Sequence, residues 1–130
     1  MRGLALGACA AAALLALAAS SAPEAAPRAK PQLRCGWIQN PTPANWWLVD
    51  RDGDWTLMTQ GSGEDPPEGM ESIPDLTGRN WVVTNGAAYG YGCVCMGVDV
   101  DRAARRITRI YSVKQKPLSA CRADKRLPKP

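Results

Sequence analysis

The sequence predicts a disulfide-bridged all-β domain: a small antiparallel meander, sandwich or open barrel of about six strands. Three observations carry that expectation. The 12 Gly and 11 Pro cut the chain into turns and short runs. The apolar runs between them are rich in Val, Ile, Tyr and Trp, as strands are. No stretch repeats its apolar residues with the 3.6-residue period of an amphipathic helix. With no Phe, the bulk of a core must come from 5 Trp, 3 Tyr and the aliphatic residues.

Residues 1–20 read as a signal peptide. Arg2 gives a basic start, GLALGACAAAALLALAA (3–19) is an unbroken apolar run, and small residues from Ala18 to Ala22 offer a cleavage site. The run falls short of the roughly 20 residues that a spanning helix needs, and no basic stop-transfer cluster follows it, so no stable membrane span is expected. LGAC (6–9) resembles a lipoprotein attachment box, which would make Cys9 an acylated first residue. Only six residues separate Arg2 from Cys9, however, and the apolar run continues past it. Soluble export, periplasmic or secreted, is the favoured reading. Residues 21–33 carry Ala, Pro and charge without periodicity and are expected to be a flexible leader. Residues 34–130 are then a single domain, because about 110 residues leave room for one core.

Within that domain RCGWIQ (34–39) is a short strand, and NPTPAN (40–45) is a rigid corner, because each proline fixes its own φ and biases its predecessor toward extended geometry. WWLVDRDGDWTLMT (46–59) is the clearest hairpin: two β-prone runs flank an Asp-Gly step that tolerates positive φ. Residues 60–80 are rich in Gly, Pro and acid, with no strand pattern, and are expected to form a mobile loop. WVVT (81–84), the Asn85-Gly86 turn, AYGYGCVCMGVDV (88–100) and ITRIYSV (107–113) complete the strands, with at most one helical turn at 118–124.

Cys93 and Cys95 fix the crosslinking logic. Two residues apart on a strand, their side chains share a face about 6.5–7 Å apart, too far for a bond to each other. Each must pair with Cys35 or Cys121, which leaves two allowed connectivities and makes the 93–95 strand central. Its other face, Gly92, Val94, Met96 and Val98, is then free to enter the core. Structural zinc is disfavoured by the one-residue spacing and by the oxidising compartment, so no metal and no cofactor is expected.

Formal charge is +4, and +3 once Arg2 leaves with the signal, at 15 bases against 12 acids. Eight acids and one base lie between Asp50 and Asp75; ten bases and one acid lie between Arg102 and Lys129. Two solvated faces account for this polarity, though the basic side could steer toward anionic envelope polymers. No nucleic-acid partner is expected, because the protein is exported and carries no binding motif.

Catalysis finds little footing: there is no His, the thiols are committed to crosslinks, and the acids crowd into a turn and a loop. Asp50, Asp52 and Asp54 have calcium-loop spacing, but the glycine comes one position early and position twelve is Gly61. Trp46 and Trp47 must point to opposite faces. Burial of both in a two-layer core is favoured, and the alternative is an exposed indole that serves as a platform.

RCGW (34–37), NPTPANWWLVDRDGDW (40–55), YGYGC (89–93) and PLSACR (117–122) together resemble a family of small exported bacterial proteins catalogued as a domain of unknown function. The resemblance implies a bacterial origin, a signal peptide and one domain; it brings no activity and no site residue, and the stretch from Gly61 to Gly78 matches none of its pattern. The expectation that follows is a non-enzymatic binding module for an envelope glycan or protein. Trp47, Tyr89 and Tyr91 are its candidate contacts, and Arg105, Arg106 and Arg109 its charge partners. An inhibitor of a hydrolase that acts through the 60–80 loop is the alternative.

Overall fold

The computed structural model describes Gly3 and residues 29–130. The rest of the signal segment, Cys9 and residues 21–28 lie outside the described residues. The strands are β1 (Gln32–Thr42), β2 (Asn45–Asp50), β3 (Gly53–Met58), β4 (Trp81–Asn85), β5 (Tyr89–Asp101) and β6 (Arg106–Lys116), followed by one short helix, α1 (Leu118–Ala123). Order in β1 begins two residues earlier than expected, so Gln32 and Leu33 belong to the sheet and not to a leader. The corner is also tighter than the two prolines suggest. Asn40, Pro41 and Thr42 continue β1, and Thr42 already pairs with Asn45 across a two-residue turn in which Ala44 takes φ 56°.

All six strands form one sheet, ordered β1-β2-β3-β6-β5-β4, with a further pairing of β1 to β5. β5 is its hub. One edge of β5 pairs with β1 from Gly90↔Asn40 to Val98↔Gln32; the other pairs first with β4 and then with β6. The sheet therefore rolls up without becoming a closed barrel. β3 and β6 meet through a single parallel pair, Thr56↔Arg106, and the Thr56 N–H donates to the Arg105 carbonyl at 2.9 Å.

The roll has two faces with different fillings. Ile38, Leu48, Trp55, Leu57, Val94, Met96, Val98 and Ile107 are fully buried inside it. The Val94, Met96 and Val98 row is the core face expected of β5. Gly92 completes that row because a Cβ there would crowd the Trp81 ring. On the outer face Trp37, Val49 and Cys93 are covered by α1 and the C-terminal tail, and Trp37 Nε1 donates to the Pro128 carbonyl at 3.0 Å.

The disulfides are Cys35–Cys95 and Cys93–Cys121. Of the two allowed pairings this is the one that register selects: Cys35 and Cys95 are direct cross-strand partners, while Trp37 occupies the position opposite Cys93. Cys93 is thus left to bolt α1 down. The bridges span sequence separations of 60 and 28 residues. Loops of that size correspond to about 3–4 kcal/mol each in the chain-entropy account.

Residues 60–80 contain no strand, as expected, but they are not a free excursion. The Glu68 N–H donates to the Thr108 carbonyl at 3.1 Å, and the Ile110 N–H donates to the Glu68 carbonyl at 2.7 Å. Pro67 and Leu76 are buried, and Met70 and Ile73 pack on the core. The longest stretch exposed throughout is 59–66, so mobility over the whole of 60–80 is at odds with this anchoring. A segment without periodicity fills the open side of the roll because two or three well-placed apolar residues are enough to bury it.

Candidate functional site

The roll has two ends, and they are built differently. At the end where β1 begins, Arg34 is buried and forms an ion pair with Asp50, itself 3% exposed, at 2.6 Å. Arg34 also reaches Asp52 at 3.0 Å and the Gln32 amide oxygen at 2.7 Å. Asp50 Oδ1 accepts from Trp55 Nε1 at 3.0 Å. The Trp55 ring lies between two guanidinium groups, Arg34 at 3.9 Å and Arg105 at 4.1 Å from its centroid. The guanidinium of Arg34 holds the Asp52 carboxyl below its ordinary value of 3.8. A polar cleft of about 390 Å³ lined by Arg34, Asp50, Arg51 and Asp52 lies over this cluster, but the hydrogen bonds, ion pairs and ring stacking are made within the cluster itself, so it reads as structural.

The other end is open. There a cavity of about 450 Å³ lies between the start of β2, the β4–β5 turn and the 70–77 segment. Its walls are Trp46, Trp81 and Tyr89, with Met70, Ile73 and Leu76 as an aliphatic floor. Each indole is oriented by a hydrogen bond. Trp81 Nε1 donates to the Ala88 carbonyl at 2.9 Å. Trp46 Nε1 donates at 3.2 Å to the Asn40 side-chain oxygen, in the amide orientation that also lets Asn40 donate to the Thr42 carbonyl. Glu71 and Asp75 line the same cavity. The Thr77 hydroxyl and N–H both donate to Asp75 Oδ1, at 2.7 and 2.9 Å, and they hold its carboxyl below 3.8.

The expected contact residues do not converge on one spot. Tyr89 lines the cavity. Tyr91 and Trp47 are half-buried on the outer face, in a row that runs Tyr91↔Gln39↔Trp47↔Thr56 across four strands and reaches Arg106 on the fifth. Tyr91 meets Trp37 edge to face at 5.5 Å. The two tryptophans of the pair do point to opposite faces, but neither is fully buried: Trp46 edges the core and the cavity, and Trp47 the outer row. Arg105 is turned away from this row, onto Trp55. Arg106 is ion-paired to Glu64 and Arg109 to Glu68, so both basic groups brace the 59–69 segment.

Sequence reasoning missed Trp46 and Trp81 as site residues, and also Glu71 and Asp75. The one available signal was Trp46, whose alternation with Trp47 put it on the face of Leu48. Among the described residues no group of three or more His, Cys, Asp or Glu is arranged to hold a metal ion, and no helix is long and apolar enough to cross a membrane.

No curated protein and no solved structure matches the chain. A family model does match, over residues 29–128, which takes in the whole rolled sheet, both bridges and the cavity. The chain therefore belongs to the DUF4087 family, described as proteins of unknown function.

Proposed function

We propose that the protein is a non-enzymatic binding module, exported to the periplasm or the medium, that takes part of an envelope glycan or protein into the open cavity. The observation that carries this reading is the cavity itself. Its volume of about 450 Å³ lies within the range that small ligands and single side chains occupy. The half-buried Trp46 and Tyr89 offer stacking surface to a sugar ring or a side chain, with the buried Trp81 behind them. The frame behind them is stiff, with the indoles hydrogen-bonded in place, so little ordering cost opposes binding.

The two disulfides support an oxidising compartment, in keeping with an N-terminal export signal. A second reading, a hydrolase inhibitor acting through 60–80, is supported by the exposed 59–66 stretch, which Arg106 braces through Glu64 and the Asp65 carbonyl. It has less surface to insert than a free 21-residue loop would, because 67–80 is committed to the fold.

The test is a titration of the oxidised protein with soluble envelope glycan fragments and peptides, followed by the indole N–H resonances in NMR. Shifts at Trp46 and Trp81, lost in Tyr89→Ala and Trp46→Ala, are the expected result. Ligand-induced shifts confined to 59–66 would move the case to the inhibitor. Turnover of any added fragment would remove the non-enzymatic assignment.

A further inference from the structure

We infer that the cavity receives a basic side chain, lysine or arginine, from a partner polypeptide. This rests on the reading of the cavity as the binding site and names what enters it. The first argument is charge. Two carboxylates, Glu71 and Asp75, line the cavity and no Lys or Arg does. That is notable in a chain of net charge +4, and more so given what happens to the neighbouring acids. Glu64 and Glu68, on the same segment, are neutralised by Arg106 and Arg109. Among the described residues Glu71 and Asp75 form no ion pair. Asp75 is also kept ionised by Thr77, which occupies only Oδ1 and leaves Oδ2 to a ligand.

The second argument is shape and surface. A basic side chain is an aliphatic stem with a cationic head. The stem matches the apolar Met70, Ile73 and Leu76 lining, and the head matches the accessible aromatic surface of Trp46 and Tyr89 together with the two carboxylates. A neutral sugar would use the rings and could donate its hydroxyls to the carboxylates, but it would leave their two negative charges uncompensated.

The third argument concerns the carrier of that side chain. β4 is the terminal strand of the sheet order, pairs only with β5, and starts at the cavity wall with Trp81. Val83, two residues on, is 55% exposed. An extended polypeptide can add to this edge through main-chain hydrogen bonds, and alternation then aims one of its side chains toward the cavity.

The test uses the oxidised protein and three probes: acetyl-Ala-Lys-Ala-amide, the same peptide with norleucine in place of lysine, and chitotriose. Binding is read from the Trp46 and Trp81 indole resonances. We expect the lysine peptide to bind about tenfold more tightly than the norleucine peptide at low salt, with the gap closing near 1 M NaCl. Glu71→Gln should reduce the gap, and Glu71→Gln with Asp75→Asn should abolish it. Because Asp75→Asn also touches the Thr77 turn, the single Glu71→Gln variant carries the test if the double variant fails to fold. Equal binding of the two peptides would overturn the basic side chain while leaving the cavity as a binding site. Chitotriose shifting both indoles, with neither peptide doing so, would make it a sugar site. No shift with any probe would overturn both this inference and the cavity reading.

Discussion

The two ends of the rolled sheet use the same residue types to opposite effect. Each presents tryptophan beside carboxylate. At the β1 start Asp50 and Asp52 are met by Arg34, and Trp55 is sealed between Arg34 and Arg105. At the other end Glu71 and Asp75 meet no cation among the described residues, and Trp46 and Trp81 line a cavity. The difference teaches that a carboxylate–indole cluster becomes structural when arginines from the same chain complete it, and it is the lack of such a partner at the other end that motivates the proposed site.

The largest effect should come from breaking the sealed end. Asp50→Ala leaves a buried guanidinium and the Trp55 N–H without their main partner, and should cost about 3 kcal/mol or more by chemical denaturation. A loss under about 1 kcal/mol would mean that the plug is ornamental. Of similar size, the paired change Cys93→Ser with Cys121→Ser should cost about 3 kcal/mol. Its loss of hydrogen-exchange protection should fall on α1 and the tail, while both ends of the roll stay protected.

At the open end the ranking inverts. Trp46→Ala, at a half-buried position, should cost only about 1–2 kcal/mol of stability yet abolish ligand-induced shifts at Trp81. Glu71→Gln should leave stability within about 0.5 kcal/mol.

Acid sharpens the contrast further. Asp52 and Asp75 both have carboxyls held below 3.8, Asp52 through the hydrogen bond from Arg34 and Asp75 through the Thr77 hydroxyl. Each therefore contributes stability that is fully present above pH 3.8 and is lost as pH falls through the lower folded-state value. Melting temperatures between pH 5 and pH 2 should fall less steeply for Asp52→Asn than for the unmodified protein. The smallest effect is expected on the outer row, where Trp47→Ala and Tyr91→Ala should alter neither cavity binding nor the acid limb.

Much of the fold was legible before any coordinates. The Asp-Gly step placed the β2–β3 hairpin, and Gly53 does take φ 108°. Alternation put Val94, Met96 and Val98 in the core and both neighbouring cysteines on the other face. The site was less legible, for a definite reason. Arg34 and Asp50 lie sixteen residues apart, and only the Trp37↔Val49 register brings their strands into line. Glu71, Asp75 and Leu76 sit in a stretch with no period, so nothing local marks them as wall or floor. The arginines 105, 106 and 109 read as one basic patch, yet bulges in the β5–β6 ladder and the left-handed turn at Arg105 send them to three different partners.

The amino-acid order alone determined that this is a strand-built domain held by two crosslinks, with the ribbon around Cys93 and Cys95 at its centre. Side-chain alternation and the reach of a disulfide are local geometry, and local geometry can be read from spacing. Tertiary structure decided which sulfurs join, which carboxylates are neutralised and where the opening lies. Those outcomes depend on register between distant strands and on where an aperiodic segment settles, and both are set by packing over the whole roll.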